Sequence, residues 1–451
     1  MKTLRIASYG LQGGIGDALT PEIVIDFAAA FGTVLEGGTI LVGRDTRQSS
    51  SMLHAAVTSG LISTGCTVLD FGICPTPLLQ FSTSRYGAAG AVSISGGHNP
   101  MGLNALQLIS ASGAFIEPIG GQTVLDVYHA GDFIRAGWNA MGSVQHVSDF
   151  AEPYFGALAE QLDVDAIRKA NFMVAVDPVN GAGCRYIDTF AEKLGVRLLA
   201  VNNEESGYLA RDPEPRPRNA RPLANMMRLV PADIGFGSSS DMGRVSIVTE
   251  DGETTSEEFT LPVIVAHVLE NASGVVVTNC CSSRMVDDVA AQRGSDVVRT
   301  RVGQAYVMSA LADEDGVIGG EGSGGVALPA FSKAFDGFLM MGLVLESMAR
   351  RGARASELTC SLPRYHIVKR KVIGEAHRCY RAIERVADDT NWIDSGTVSS
   401  LDGLRVDWDD GWIHLRASQT EQMIRVISEA ESMQTAESRA TNAARMLEQA
   451  L

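Results

Sequence analysis

Short runs of β-branched residues alternate with longer stretches of helical periodicity, and this alternation constrains the fold more than any other feature of the sequence. Thr39–Gly43, Thr67–Asp70 and Ala91–Ser95 are predicted strands, and residues 49–64, between the first two, are a predicted helix. Such alternation is typical of parallel sheets covered by crossover helices. The first third of the chain is therefore predicted to be an α/β unit.

The same pattern starts again twice. Phe172–Asp177 is a predicted strand, followed by a glycine-rich turn at Asn180–Gly183 and a helix that ends near Leu194. A third round starts with the apolar run Gly274–Thr278. These repeats predict three successive α/β units.

The end of the chain has a different pattern, in which several strands precede one long helix. This order predicts a two-layer α+β module. The predicted strands are Tyr365–Val372, Leu404–Trp408, Trp412–Arg416 and Ile424–Glu429, and the predicted helix is Thr435–Ala450.

The length of the chain, 451 residues, exceeds the size at which a single hydrophobic core stops growing. Polar and proline-bearing segments suggest boundaries near residues 150, 252 and 361. We predict α/β domains at 1–150, 151–252 and 253–361, followed by an α+β domain at 362–451.

The charge and apolar content exclude several classes of partner. With 37 Lys and Arg against 53 Asp and Glu, the net charge of -16 disfavours nucleic acid, and no basic block offsets it. No segment reaches 18 uninterrupted apolar residues and no signal-peptide run begins the chain, which predicts a cytoplasmic protein without a membrane partner. The seven cysteines form no C-x-x-C pair, so buried reduced thiols are expected.

Five loops carry the residues of chemical interest, and they occur in a fixed order. They are Gly43-Arg44-Asp45-Thr46-Arg47, Gly96-Gly97-His98-Asn99-Pro100, Ser239-Ser240-Asp241-Met242-Gly243-Arg244, Gly320-Glu321-Gly322-Ser323-Gly324, and Arg416-Ala417-Ser418-Gln419-Thr420-Glu421 with Arg425. In this order the set resembles the α-D-phosphohexomutase family, which includes phosphoglucomutase, phosphomannomutase and phosphoglucosamine mutase. The resemblance extends over nearly the whole chain.

The resemblance implies four domains around a central cleft. In that family the serine before His-Asn-Pro carries a phosphoryl group, and three aspartates of an Asp-Gly-Asp-x-Asp-Arg loop hold Mg²⁺ beside it. The sugar 1- and 6-phosphates exchange through a bisphosphate intermediate. A Gly-Glu-x-Ser-Gly loop binds the sugar hydroxyls, and the last domain binds the phosphate that does not react.

This chain departs from the family pattern at the position of the nucleophile, where Gly97 stands in place of the serine. Phosphoenzyme chemistry needs an oxygen nucleophile, so the usual intermediate cannot form at residue 97. Ser95 is a displaced candidate. Strand alternation points it the same way as residue 97 but about 6.5 to 7 Å back, which argues against it.

The loop that binds the metal in the family has also lost functional residues in this chain. Its three aspartate positions become Ser239, Asp241 and Gly243, so Asp241 is the only retained ligand. A single carboxylate predicts that Mg²⁺ binds only weakly, or only when a substrate phosphate shares the ion. Gln12 also occupies the position of a family arginine near the phosphoserine.

The loops for ligand recognition keep their donors. Glu321 and Ser323 are predicted to bind sugar hydroxyls on glycine-rich backbone that a ligand can approach closely. A clamp is predicted for the phosphate of a hexose phosphate, because guanidinium and hydroxyl groups suit a phosphate dianion. Its residues are Arg416, Ser418, Thr420 and Arg425. The alternative, a surface hairpin with ordinary exposed arginines, is disfavoured by the order of the loops.

Four residues around the former phosphoryl centre remain candidates for catalysis, namely Arg44, His98, Asp241 and Arg244. His98 could act as a general acid or base near neutral pH. It could equally serve only to cap and position its loop.

Three functions fit these residues. The favoured one is a phosphosugar reaction that needs no phosphoserine, such as hydrolysis, epimerisation, elimination or cyclisation, because titratable groups remain at the site. The second is a non-catalytic phosphosugar binder that regulates a partner. The third is an ordinary 1,6-phosphate transfer with an unusual phosphate carrier, and the loss of the nucleophile argues against it.

Overall fold

The structure is a computed structural model that describes residues 4–7, 9–389, 392–418 and 422–451. The chain divides into two compact units. Residues 1–267 and 323–359 form the first, and residues 268–322 and 360–451 form the second. Within the described ranges, no helix is long and apolar enough to cross a membrane.

A seven-stranded mixed sheet begins the first unit. Its strands are β1 (Arg5–Ala7), β2 (Gly10–Gly14), β3 (Thr39–Arg44), β4 (Thr67–Ile73), β5 (Gly90–Ile94), β6 (Leu103–Ser110) and β7 (Val144–His146). Their order is β1-β2-β6-β5-β3-β4-β7, with β4, β3 and β5 parallel as predicted. Three strands that were not predicted, β6, β2 and β1, extend the sheet beyond β5 in antiparallel order. A short loop can join β5 to β6 only in antiparallel order.

Four helices accompany this sheet, namely α1 (Pro21–Val34), α2 (Gln48–Ile62), α3 (Thr76–Arg85) and α4 (Pro118–Ala130). Proline begins α1 and α4, where its missing N–H group leaves no hydrogen bond unmade. Helices α1 and α2 pack closely, because a Cβ atom on Gly60 would lie 2.5 Å from the carbonyl oxygen of Ile25. Phe27 and Phe31 of α1 are buried in the core between helices and sheet.

The second sheet of this unit contains β8 (Met173–Asp177), β9 (Arg197–Ala200), β10 (Ile234–Ser238) and β11 (Val245–Thr249), in the order β11-β10-β8-β9. Helices α5 (Ala151–Glu160), α6 (Val164–Ala170), α7 (Ile187–Leu194) and α8 (Pro217–Leu229) accompany it. Strands β10 and β11 form an antiparallel hairpin. Residues 239–244 are the connection of that hairpin, so the sequence-predicted metal loop is a tight turn.

The chain then continues through α9 (Thr260–Val268), β12 (Val276–Asn279), α10 (Met285–Gln292), β13 (Val297–Thr300), α11 (Gln304–Asp313), β14 (Ile318–Glu321), β15 (Gly325–Ala327), α12 (Gly337–Arg351) and α13 (Ala355–Cys360). The elements from β12 to β14 belong to the second unit, where β13, β12 and β14 are parallel. Helix α12 belongs to the first unit and is buried on nearly all sides. Asp336 caps it by accepting hydrogen bonds from the amides of Phe338 and Leu339 at 3.0 and 3.1 Å.

The C-terminal module has the two-layer α+β form that the sequence predicts. Its strands are β16 (His366–Ile373), β17 (Thr397–Ser399), β18 (Leu404–Trp408), β19 (Gly411–Ala417) and β20 (Met423–Ala430), in the order β16-β20-β19-β18-β17. Helices α14 (Ala376–Asp388) and α15 (Met433–Ala450) contact each other and the sheet. Alternate strand residues and both helices bury one continuous apolar core.

Candidate active site

The loop after β5 holds Gly97 in a backbone conformation that favours glycine. Its φ is +55°, in the left-handed region that residues with a side chain rarely adopt. A Cβ atom built on Gly97 would lie 3.0 Å from Oδ2 of Asp241. The space that a side chain would enter at residue 97 is thus bordered by a carboxylate of the hairpin connection.

Ser95 is buried, and its hydroxyl is committed to the loop. The hydroxyl donates to Oδ2 of Asp45 at 2.7 Å and accepts the amide N–H of Gly97 at 3.0 Å. Only 2% of the residue is exposed. These contacts explain Ser95 as a structural residue that positions the loop, and they leave its oxygen poorly placed to attack a ligand.

A fully buried ion pair between Arg47 and Asp45 organises the same region. Arg47 also donates to the carbonyl oxygen of Asn99 at 2.6 Å and to Oγ of Ser240 at 2.8 Å. Ser240 in turn donates to the carbonyl oxygen of Gly97 at 2.7 Å. The network ties the Gly97 loop to the β10–β11 connection and neutralises the Arg47 guanidinium.

The carboxylate of Asp241 is held by its own loop. Its Oδ1 accepts the hydroxyl of Ser239 at 2.6 Å and the amide of Gly243 at 3.1 Å. The Ser239 oxygen also accepts the amide of Arg244 at 3.1 Å. Mg²⁺ requires near-octahedral oxygen ligands, usually with more than one anionic group including substrate. One carboxylate that already accepts a hydroxyl and an amide fits this ion poorly.

Three predicted catalytic residues are sequence neighbours of residues in these hydrogen-bonded loops. They are Arg44, His98 and Arg244, and each is half-buried. Arg44 ends β3 and donates to the carbonyl oxygen of Asp45 at 3.2 Å. His98 follows Gly97, and Arg244 follows the metal-type turn. The first unit therefore brings together the loops that carry Arg44, His98, Asp241 and Arg244. The hydrogen bonds that join these loops are made by neighbouring residues, through Arg47 and Ser240.

The loop predicted to bind sugar hydroxyls begins at the end of β14. Glu321 is 4% exposed, and its Oε1 accepts the amide of Gly303 at 2.7 Å. The amide of Gly322 donates to Oγ of Ser282 at 2.9 Å. Glu321 thus links two loops of the second unit, whereas Ser323 is half-buried and falls in the first unit.

Two guanidinium groups stand opposite each other on the C-terminal sheet. Arg416 of β19 and Arg425 of β20 are direct partners in the antiparallel register. Nη1 of Arg416 lies 3.6 Å from Oδ2 of Asp402, and its buried Nε has no hydrogen-bond partner in the described part of the chain. Like charges directly opposite each other in a sheet are destabilising. An anion between them would relieve that repulsion, as a phosphate clamp requires.

Ser418 directly follows β19, which ends at Ala417. It is 7% exposed, and its amide donates to the carbonyl oxygen of Met423 at 2.9 Å. Thr420 lies outside the described residues. The structure therefore places Arg416, Ser418 and Arg425 at one end of the β19–β20 hairpin.

The sequence analysis misses three residues that meet in the second unit. Cys280 and Cys281 follow β12, and His414 lies on β19; Sγ of Cys281 is 2.9 Å from Nδ1 of His414. Hydrogen bonds from Cys281 and His414 lower the pKa of the Cys280 thiol. All seven cysteines are free, but the expectation that they are buried is wrong for half-buried Cys281 and exposed Cys360. An adjacent cysteine pair is a signal that a search for C-x-x-C spacing overlooks.

Three family models match this chain. They describe the phosphoglucomutase/phosphomannomutase alpha/beta/alpha domains I, II and III, and they match residues 5–135, 152–252 and 257–365. A phosphoglucomutase/phosphomannomutase of Thermococcus kodakarensis is 35% identical, over 98% of this chain and 98% of that protein. A probable phosphoglucosamine mutase of Pyrococcus abyssi is 33% identical, over 98% of this chain and 97% of that protein. The chain belongs to the α-D-phosphohexomutase family.

Solved structures share the fold. A phosphoglucomutase/phosphomannomutase family protein from Burkholderia thailandensis matches with a TM-score of 0.84 at 24% identity, over 98% of this chain and 97% of that chain. An N-acetylphosphoglucosamine mutase from Aspergillus fumigatus, in complex with GlcNAc-6P and magnesium, matches with a TM-score of 0.63 at 12% identity. That match covers 100% of this chain and 96% of the other. Three α/β/α domains and a further C-terminal domain are thus the architecture of this chain.

Proposed function

We propose that this protein binds a hexose phosphate and acts on it without a phosphoserine intermediate at residue 97. The observation that carries the proposal is the position of Gly97. It has no nucleophilic atom, its φ of +55° favours glycine, and the Asp241 carboxylate borders the space where a side chain would enter. A phosphoryl group on residue 97 would lie beside that carboxylate, and the two negative charges would repel each other.

The binding half of the proposal is supported by charge. Arg416 and Arg425 face each other across two strands, and a phosphate dianion satisfies both guanidinium groups at once. Relatives that cover nearly the whole chain are named as mutases of phosphorylated hexoses or hexosamines. The Aspergillus enzyme binds GlcNAc-6P. A hexose or hexosamine monophosphate is therefore the ligand class that we assign.

The catalytic half rests on the groups that remain near the lost nucleophile. Imidazole can exchange a proton near neutral pH, and we assign that role to His98, beside Gly97. Arg44 and Arg244 bind the anionic substrate, and Asp241 orients the hairpin connection through Ser239 and Gly243. None of these roles requires Mg²⁺, whose ligand set this loop lacks.

A second candidate is a binder that does no chemistry. The buried network favours this candidate, because its polar groups contact one another and hold the loop in place. These groups belong to Arg47, Asp45 and Ser240. The third candidate, 1,6-phosphate transfer with a carrier elsewhere, loses support at Ser95, whose oxygen both donates and accepts within the loop.

One experiment separates the three. The purified protein is incubated with a panel of hexose and hexosamine monophosphates, with and without Mg²⁺, and followed by ³¹P NMR. The proposal expects a product other than the isomeric monophosphate, at a rate that Mg²⁺ does not change. Binding without any product supports the second candidate, and 1,6-isomerisation stimulated by bisphosphate supports the third.

A matched pair of variants tests the role of His98. His98→Gln should abolish turnover and leave ligand affinity within about 10-fold, since loss of a general acid or base costs roughly 10²- to 10⁴-fold in rate. His129→Gln is the control, because His129 is exposed on α4. Equal rates in both variants would return His98 to a positioning role.

A further inference from the structure

A cysteine pair and a histidine converge in the second unit, away from the Gly97 loop in the chain. Cys280 and Cys281 form the turn that leaves β12, and His414 lies on β19. Sγ of Cys281 is 2.9 Å from Nδ1 of His414, and Sγ of Cys280 is 3.7 Å from Nε2. One possible ligand atom from each residue lies within 4.8 Å of the other two.

The imidazole is oriented by a backbone carbonyl. Nε2 of His414 lies 2.6 Å from the carbonyl oxygen of Asp402, a distance at which the nitrogen donates its proton. This contact fixes the tautomer and leaves the lone pair of Nδ1 directed at Sγ of Cys281. Metal-bound histidines have this same arrangement, in which the second ring nitrogen donates to a carbonyl or carboxylate.

The two thiols are also held in place. The amide of Cys281 donates to Oδ1 of Asn279 at 2.8 Å, and the amide of Cys280 donates to the carbonyl oxygen of Thr300 at 3.0 Å. The Arg405 guanidinium donates to the carbonyl oxygen of Cys280. A turn fixed at three backbone positions presents both sulfur atoms to one ring, which lowers the entropy that a bound ion would have to remove.

We propose that Cys280, Cys281 and His414 form a binding site for a thiophilic divalent cation of the Zn²⁺ class. Two thiolates and one imidazole are ligands that Zn²⁺ prefers, and three protein ligands leave a fourth position open. Both sulfur atoms bind the ion as thiolates, and any thiol proton that binding displaces passes to solvent, so that two thiolates balance the charge of the ion. His414 remains neutral and keeps its Nε2 proton on the Asp402 carbonyl.

The geometry requires only a small adjustment. Zn–S bonds of about 2.3 Å and Zn–N bonds of about 2.0 to 2.1 Å place ligand atoms about 3.6 to 3.8 Å apart around a tetrahedral ion. The contact of 2.9 Å between Cys281 and His414 would open by less than an ångström when the thiol proton leaves. Cys281 is half-buried, whereas Cys280 and His414 are 3% and 1% exposed, so the ion would enter past Cys281.

The test measures metal binding itself. The reduced, metal-free full-length protein competes with a chromophoric chelator for Zn²⁺, and Co²⁺ is added separately to look for thiolate-to-cobalt charge-transfer absorption. We expect one equivalent of Zn²⁺ to bind. Cys280→Ser, Cys281→Ser and His414→Gln should each weaken binding by at least the roughly 10- to 100-fold that loss of a supporting contact causes.

Cys360→Ser is the matched control, because Cys360 is an exposed free cysteine of the same unit. It should bind Zn²⁺ as the unmodified chain does and keep the cobalt absorption. A second measurement avoids folding defects in the variants: Zn²⁺ should protect half-buried Cys281 of the unmodified protein from alkylation and leave exposed Cys360 reactive.

Two results would overturn the site. One is Zn²⁺ affinity in the unmodified protein no greater than in the folded Cys280→Ser and Cys281→Ser variants. The other is alkylation of Cys281 at the same rate with and without Zn²⁺. Either would leave the cluster as a thiol–imidazole hydrogen bond without a metal.

Discussion

The Gly97 loop and the β19–β20 hairpin treat charge in opposite ways. Around Gly97, Arg47 pairs with Asp45, and Asp241 accepts hydrogen bonds from its own turn. On the hairpin, two guanidinium groups stand opposite each other in register. The first region satisfies its charges within a buried network, whereas on the second Arg416 pairs with Asp402 at 3.6 Å and still lies opposite another guanidinium group. We therefore expect the Gly97 loop to use its charges for its own structure and the hairpin to use part of its charge to bind a ligand.

The largest expected effect is on stability, from loss of Arg47. Arg47→Ala leaves the buried Asp45 carboxylate without its cation and breaks the bonds to Ser240 and Asn99. Breaking a buried pair costs about 3 to 5 kcal/mol. Chemical denaturation of the variant should show a much lower midpoint for the transition of the first unit.

An exposed ion pair in the same unit is the control. Arg218 and Asp212 are 3.5 Å apart, with the Arg218 side chain 62% exposed. Arg218→Ala should change stability by no more than about 1 kcal/mol. If Arg47→Ala were as mild as Arg218→Ala, the Gly97 loop would not be the closed network described above.

The next effect is on ligand binding at the hairpin. Arg416→Ala or Arg425→Ala removes a charge-assisted hydrogen bond worth about 1.5 to 3 kcal/mol, so hexose phosphate affinity should fall about 10- to 150-fold. Calorimetry measures it, with Arg370→Ala as the control on neighbouring β16, where Arg370 pairs with Glu437 at the surface. Unchanged affinity in both hairpin variants would remove the clamp from the account.

The stability of the ligand-free hairpin variants also distinguishes the hairpin from the Gly97 loop. Removing one of two opposed like charges relieves repulsion of about 0.2 to 1 kcal/mol, which offsets part of the stability that the contacts of Arg425 contribute. Ligand-free Arg425→Ala should therefore lose far less stability than Arg47→Ala. Thermal denaturation in low salt measures this, and a marked loss of stability would show that Arg425 has a structural role instead.

The smallest expected effect is that of Mg²⁺ on the ligand-free protein. A ligand raises stability by RT ln(1 + [L]/Kd), and the turn of Ser239, Asp241 and Gly243 offers one carboxylate that is already hydrogen-bonded. Millimolar Mg²⁺ should leave the melting temperature unchanged. A clear rise that a chelator reverses would mean that the turn rearranges around the ion.

Periodicity predicts the strands and helices of this fold well where each element packs on one side. Strands β3 and β18 to β20 lie where alternation places them. Helix α14 was not predicted, although its buried residues Cys379, Ala382, Ile383 and Val386 have the spacing typical of an amphipathic helix. The mixed sheet was also missed, because strand direction depends on how short the connections are rather than on the strand residues.

The site is predictable in part. The identities of Gly97, Ser239 and Gly243 and the order of the loops are visible in the sequence, and they point to the family and to its altered centre. The burial of Arg47 is not, because arginine is mostly exposed in proteins and its partner Ser240 is 193 residues away. Residues that are distant in sequence and meet only in the folded chain decide which charges are free for a ligand.

The central claim is that phosphoryl transfer no longer passes through residue 97. The direct test is conversion of glucose 1-phosphate to glucose 6-phosphate, primed with catalytic glucose 1,6-bisphosphate and read through a coupled dehydrogenase. We expect no bisphosphate-stimulated turnover from the unmodified protein or from Gly97→Ser, because a serine there would still lack the Mg²⁺ ligands and an arginine at position 12. Groups of one catalytic unit are strongly non-additive, so activity should require Gly97→Ser together with Ser239→Asp, Gly243→Asp and Gln12→Arg. Brisk, bisphosphate-stimulated turnover by the unmodified protein would contradict the account.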